Sequence, residues 1–194
     1  MSRVVCLLLL GLVAPLGAQT GLDGAYGLLS EGRVAEGRVA LMEAAAALAP
    51  SAAVPHLKVA RVIGRLDPEL QPQVARLAAA AFRGRSTDAI EELDALAQDA
   101  DPVQAPALLA LAAALADGAE EPARAEALRV RLIESYPEAR ERVDAVLEVA
   151  EARAARGEGL EEAAEWVEAL IVAEPSGALT PQARRVLERL RSAG

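Results

Sequence analysis

Residues 118–137 read GAEEPARAEALRVRLIESYP: a glycine, an amphipathic run of about five helical turns, then a proline. The same sentence is written three more times. It occurs as GRVAEGRVALMEAAAALAP (32–50), GRSTDAIEELDALAQDADP (84–102) and GEGLEEAAEWVEALIVAEP (157–175). The Gly-to-Pro separations are 18, 18, 19 and 18 residues in a chain holding only 14 Gly and 11 Pro, so the spacing is a repeat and not an accident. Each Gly is expected to end the preceding helix in a left-handed turn, and each Pro marks where the next helix stops. Between them apolar residues recur at helical spacing, as in Ile90, Leu93 and Leu96 or Leu128, Leu132 and Ile133.

Partner helices are expected at 22–31, 69–83, 103–117 and 138–156. The Pro-to-Pro steps are 52, 35 and 38 residues, and the last two match one helix-turn-helix repeat. The longer first step leaves room for an extra helix at about 55–65, bounded by Pro55 and by Asp67-Pro68. A cap helix is expected at 180–192, with Thr180 capping and Pro181 in the first helical position. Its outer face would carry Arg184, Arg185, Glu188, Arg189 and Arg191, a polar end for a stacked array. The expected fold is all-α: helix-turn-helix repeats stacked as a short α-solenoid. Its units are 22–50, 69–102, 103–137 and 138–175. Trp166 is expected to be buried under the cap.

The Gly…Ala…Leu…Ala…Pro pattern resembles the second helix of tetratricopeptide repeats (TPR). The stretch from Ala127 to Pro175, with Leu132, Ile133, Tyr136 and Pro137 in an LI-x-x-YP phrase, is similar to repeats of the bacterial periplasmic type. That type includes the Tol-Pal-associated TPR protein and the outer-membrane assembly lipoproteins. The resemblance is closest over 118–192, intermediate over 84–117 and thinnest over 22–50, where the Trp, Leu-Gly and Tyr positions of the first helices are mostly Ala and Leu. It implies a scaffold that holds a protein or peptide segment, with first helices lining the inner side.

Composition agrees with an all-helical chain. Of 194 residues, 53% are hydrophobic and only 2% aromatic, and Ala alone is about a quarter, so strong helix formers dominate and sheet formers are scarce. A net charge of −9 with a single Lys, Lys58, speaks against a nucleic-acid surface. Residues 1–18 read as a signal peptide, with Arg3 before the apolar run Val4–Val13 and the small residues Gly17 and Ala18 before Gln19. The expected location is therefore the periplasm, or outside the cell as a secreted protein. The only cysteine, Cys6, falls inside that segment, which leaves the mature chain without disulfides, Cys-ligated zinc or a thiol nucleophile. No integral membrane span is expected, because the apolar run before Ala18 is shorter than the roughly 20 residues a spanning helix needs.

No catalytic, cofactor or metal site is expected. His56 stands alone, without the converging ligands that metal binding or acid–base catalysis requires. The acids, such as Glu161, Glu162 and Glu165, lie at spacings that mostly make solvated helix faces. The leading expectation is an exported, non-enzymatic scaffold for a protein or peptide, possible partners being found in cell-envelope assembly. Two alternatives stand beside it: an accessory enzyme acting on envelope polymers through paired groove carboxylates, and a structural homo-oligomer joined through Ala-rich faces. Partner contact is assigned to 103–117, VQAPALLALAAALAD, through Gln104, Leu108 and Leu111, with Arg140 and Arg153 of the next helix pairing acidic flanks; the alternative for a helix apolar on every face is full burial at the array centre. Export is checked by fractionation and intact mass. A product shortened by residues 1–18 outside the cytoplasm is expected, whereas a full-length cytoplasmic product would exclude it.

Overall fold

A computed structural model describes residues 16–194, with side chains from Gln19 onward, so Arg3, Cys6 and the apolar run of the expected signal peptide lie outside the described residues. The described residues form ten helices and no strand. These are α1 (Leu16–Ser30), α2 (Val34–Ala46), α3 (Pro50–Ile63), α4 (Gln71–Phe82), α5 (Ser86–Asp99), α6 (Ala105–Gly118), α7 (Pro122–Ser135), α8 (Glu141–Arg156), α9 (Leu160–Ala173) and α10 (Thr180–Ala193). Four hairpins, α1–α2, α4–α5, α6–α7 and α8–α9, pack in succession, and α10 closes the array against α8 and α9. This is an all-α repeat solenoid with a C-terminal helix.

One turn closes all four hairpins. In each, a backbone N–H bonds to the carbonyl five residues back: Arg33 to Leu28 (3.0 Å), Arg85 to Ala80 (3.0 Å), Glu121 to Ala116 (2.9 Å) and Glu158 to Arg153 (3.3 Å). The residue before each donor must take positive φ, which suits glycine. Gly32, Gly84 and Gly157 do so, at φ +79°, +88° and +72°. The third hairpin departs from expectation. Gly118 is the last residue of α6, and Glu120 takes the left-handed position at φ +59°. The reason is Pro122, which opens α7 and so places the turn two residues before itself, as in the first two hairpins.

The core is one continuous cluster from Leu22 to Leu190, built largely of Ala with Leu, Val and Ile between. Small residues bring α1 and α2 close together. A Cβ on Gly37 would lie 2.7 Å from Leu29 Cδ2 and 3.0 Å from its backbone nitrogen, and one on Gly21 would lie 3.2 Å from Ala44 Cβ. Gly21 and Gly37 of this first unit are therefore packing residues, whereas Gly32 is its turn residue.

Three further expectations are corrected. Helix α3 starts at Pro50, not Pro55, and Pro55 sits inside it. Pro50 occupies the first turn, where no N–H is needed, and Pro55 deletes a single hydrogen bond near the helix start. Thr180 does not cap α10; its hydroxyl donates to the Glu174 carbonyl at 2.6 Å and closes the loop before the helix. Trp166 is only partly buried. Ala163 and Val167 carry the buried stripe of α9, and Trp166 lies off it with the Arg153 guanidinium of α8 over its ring, 5.0 Å from the centroid. The five polar residues assigned to the outer face of α10 are all exposed.

The two glycine positions make opposite demands. A Cβ meets nothing within 4 Å at Gly84 or at Gly118, so only backbone conformation separates them. Gly118→Ala should stabilise by about 0.5–1 kcal/mol and Gly84→Ala should destabilise by about 1 kcal/mol, read from urea midpoints. Equal signs would contradict the turn assignment.

Candidate functional site

Helix α6, APALLALAAALADG, has no polar stripe, and ten of its residues are buried, so it must be covered on every side. Helices α5 and α7 flank it and α8 touches it. The remaining side is taken by α3, the extra helix outside the repeat.

Helix α3 meets all four first helices of the hairpins. It packs on α4 and α6. His56 Nδ1 lies 2.9 Å from the Tyr26 hydroxyl of α1, and Tyr26 stacks on Phe82 of α4 at a centroid distance of 4.1 Å. Lys58 Nζ donates to Glu148 of α8 at 3.1 Å. Arg65, just beyond α3, reaches Glu141 of α8 at 3.3 Å. Behind it, Arg38 Nε of α2 donates to the Ala60 carbonyl at 2.9 Å. The row of first helices, expected to line an open groove, is therefore covered by a segment of the same chain.

Beneath α3 lies a small charged cleft of about 40 Å³, lined by Lys58, Arg61, Arg65, Arg129, Asp144 and Glu148 among others. Arg129 is 8% exposed and holds two carboxylates: Nε donates to Glu148 at 2.6 Å and its two terminal nitrogens grip Asp117. Burial pushes the Glu148 carboxyl up, but the charges of Lys58 and Arg129 outweigh it and hold the group below the usual carboxylate range.

The five residues assigned to partner contact do not form one surface. Leu108 and Leu111 are 0% exposed and belong to the core, because α6 is enclosed. Gln104 is buried and its side-chain oxygen accepts the Asp67 N–H at 3.1 Å, tying α6 to the α3–α4 connection. Arg153 is engaged by Glu126 at 2.8 Å and Glu162 at 2.6 Å. Arg140 differs: it is exposed and has no carboxylate partner among the described residues.

Arg140 stands between two open hollows at the edge of the array. One, of about 600 Å³, is lined by Arg65, Val103, Pro106, Tyr136, Pro137 and Arg140 among others. The other, of about 350 Å³, includes Arg140, Val143, Leu170, Glu174 and Leu179. Val103 is 79% exposed and Leu179 40% exposed, so each hollow has an uncovered apolar rim. Sequence reasoning named Arg140 but not this edge, whose residues come from three separate turns: Val103, Pro106, Pro137 and Leu179 were visible as apolar, but their nearness to one another was not.

Among the described residues, no three His, Cys, Asp or Glu side chains converge to hold a metal ion, and no helix is long and apolar enough to cross a membrane. Comparison of the chain with protein-family models, curated proteins and solved structures gives no significant match.

Burial lowers the His56 pKa from its ordinary value, so the folded protein holds the ring neutral where an unfolded chain begins to protonate. Stability from this group is complete above the unfolded value of about 6.5 and is lost as pH falls from there through the folded pKa. The paired carboxylates Glu126 and Glu148 titrate below their ordinary value of 4.5, so their loss comes at lower pH. Unfolding midpoints should begin to drop as pH falls below about 6.5 in the natural protein, and only on reaching the carboxylate range in His56→Gln. The same slope in both would remove His56 from this account.

Proposed function

We propose that the protein is an exported helical-repeat scaffold of the tetratricopeptide type that binds a protein or peptide segment in the cell envelope. The signal-like layout of residues 1–18 supports export. The observation that carries the binding reading is the edge at Arg140: an unpaired guanidinium between two hollows with apolar rims at Val103 and Leu179. Such a surface suits an extended segment that offers apolar side chains on either side of a carboxylate. The carboxylates of the array favour this reading over polymer chemistry, since Glu126, Glu141 and Glu148 are already spent on arginine or lysine.

A self-associating reading has one observation of its own. Val39 and Met42 on α2 and Val54 on α3 are all more than half exposed. Light scattering over a concentration series, repeated with Met42→Glu, separates the two: growth abolished by the substitution would mark that patch as a self-contact.

Arg140→Glu tests the edge. The residue is at the N-cap of α8, where an acidic side chain suits the helix dipole, so folding should be retained. Capture of envelope proteins on the immobilised protein should fall at least about tenfold with Arg140→Glu, and should be unchanged with Arg184→Glu on the exposed face of α10. Equal capture by all three would overturn the edge as the binding surface.

A further inference from the structure

We propose that the outer face of α2 is a self-docking surface, on which α2 of a second copy lies parallel and in register about a two-fold axis. This pairing rests on the self-associating reading and deepens it; the Arg140 edge lies on other elements and takes no part.

The pattern of α2 is the first ground. Its exposed apolar residues, Ala35, Val39, Met42 and Ala46, fall at i, i+4, i+7 and i+11, so they form one stripe about three turns long. That spacing is the d, a, d, a seam of a heptad repeat. A β-branched residue at a, here Val39, beside a straight residue at d, here Met42, suits two parallel strands. Alanine at either end of the stripe lets the helices approach closely. The opposite end of the array is finished differently, for α10 shows solvent Arg184, Arg185, Glu188, Arg189 and Arg191. A stacked array needs a polar outer face at each end, yet Val39 and Met42 are more than half exposed.

Charge is the second ground. The heptad places Arg38 at g and Glu43 at e five residues on, the two positions that meet across a parallel seam. Glu43 is exposed, and neither residue has an ion-pair partner among the described residues. Arg38 Nε donates to the Ala60 carbonyl of α3 at 2.9 Å, which fixes the guanidinium in the wall of an open hollow of about 340 Å³. Met42, Leu57, Arg61 and Arg65 line the same hollow. Arg61 is shared with the cleft that Asp144 lines and Arg65 is paired with Glu141, so Arg38 is the cation left for an incoming carboxylate. In the two-fold pair each copy's Glu43 enters the other's hollow. An antiparallel pair would instead set Arg38 against Arg38 and Glu43 against Glu43, so the charges select the parallel one. Glu36, the other acid on this face, is held by Arg33 of its own chain at 3.0 Å.

Helix α3 keeps its place and widens the seat, since exposed Val54 lies one turn before half-buried Leu57 on the same face. Self-complementarity selects a second copy over a foreign helix: the stripe supplies both members of each charge pair, and the symmetry closes the contact at two. A seam of four residues buries little area, so the pair is weak and depends on concentration.

Sedimentation velocity over a concentration series reads the pairing. The natural protein should pass from monomer to dimer and grow no further, and Met42→Glu should stay monomeric. Glu43→Arg and Arg38→Glu should each weaken dimerisation at least about tenfold, because each sets like charges across the seam twice, whereas their equal mixture should recover the natural affinity. Should Arg38→Glu fail to fold for want of its Ala60 bond, the register decides. In a Cys6→Ser background, Ala46→Cys should oxidise to a covalent dimer, while Arg184→Cys on α10 should stay unlinked. An antiparallel pair centred on the stripe would hold the two thiols at position 46 roughly 16 Å apart and leave them unlinked. Loss of the dimer in Met42→Glu, with a folded mixture that fails to recover it or with no link at position 46, would keep the self-contact and overturn this pairing. A natural protein that stays monomeric up to about 1 mM would overturn both.

Discussion

Everything in this array follows from one helix having no face that water can accept. In α6 only the last turn, with Asp117 and Gly118, reaches solvent freely; upstream, Ala and Leu surround the whole circumference. Burial of such a cylinder needs neighbours in every direction. Two come from adjacent sequence, α5 and α7, and a third from the next repeat, α8. A regular solenoid would leave the fourth side open. The insertion between the first and second hairpins supplies α3 for it, and in doing so converts a groove into an interior. Alanine allows close approach but removes little apolar area per residue, so Leu108, Leu109 and Leu111 supply most of the gain at this centre.

Electrostatics fix how those neighbours line up. Arg129 is the one buried cation among the described residues, and it reaches from α7 to Asp117 on α6 and to Glu148 on α8. Lys58 adds α3 to the same carboxylate. Four helices thus share one charge cluster at the partly wet margin of the core. A guanidinium suits this position, since its planar fork serves two carboxylates at once and stays charged when buried. Clusters of this kind add little net stability, because desolvation offsets attraction, but a shift of any one helix by a turn would leave a charge unpaired. The apolar core draws the helices together, and the cluster selects the register.

The repeat itself was legible because its marks are backbone chemistry. Glycine at a left-handed turn and proline past the end of a helix are local requirements; Gly32, Gly84 and Gly157 met the first, and Pro102, Pro137 and Pro175 the second. The exception is instructive. At 118–122 two marks competed, and Pro122 set the turn at Glu120 because proline fixes its own φ whereas glycine merely tolerates many. Three-dimensional neighbours were not legible. Nothing local says that α3 lies on α6, that Gln104 is spent on Asp67, or that Arg153 lies over the Trp166 ring. The apolar character of 103–117 was visible, but a helix apolar all round is equally consistent with a groove lining and a core. Arg140 was visible as a charge; its lack of a partner emerges only when the arginines and carboxylates are placed in space.

The central claim is that α3 covers α6 and fastens to α8, more than 75 residues away in sequence, the Arg65–Glu141 pair being 76 residues apart. It is tested most directly by thiol cross-linking in a Cys6→Ser background, with Arg65→Cys and Glu141→Cys joined by a short bis-maleimide at low protein concentration. An intramolecular link should form rapidly and leave helicity intact, while the control pair Arg65→Cys and Glu161→Cys should stay unlinked. Absence of the first link in the folded protein, or equal linking of both pairs, would contradict the placement of α3 and with it the enclosure of α6.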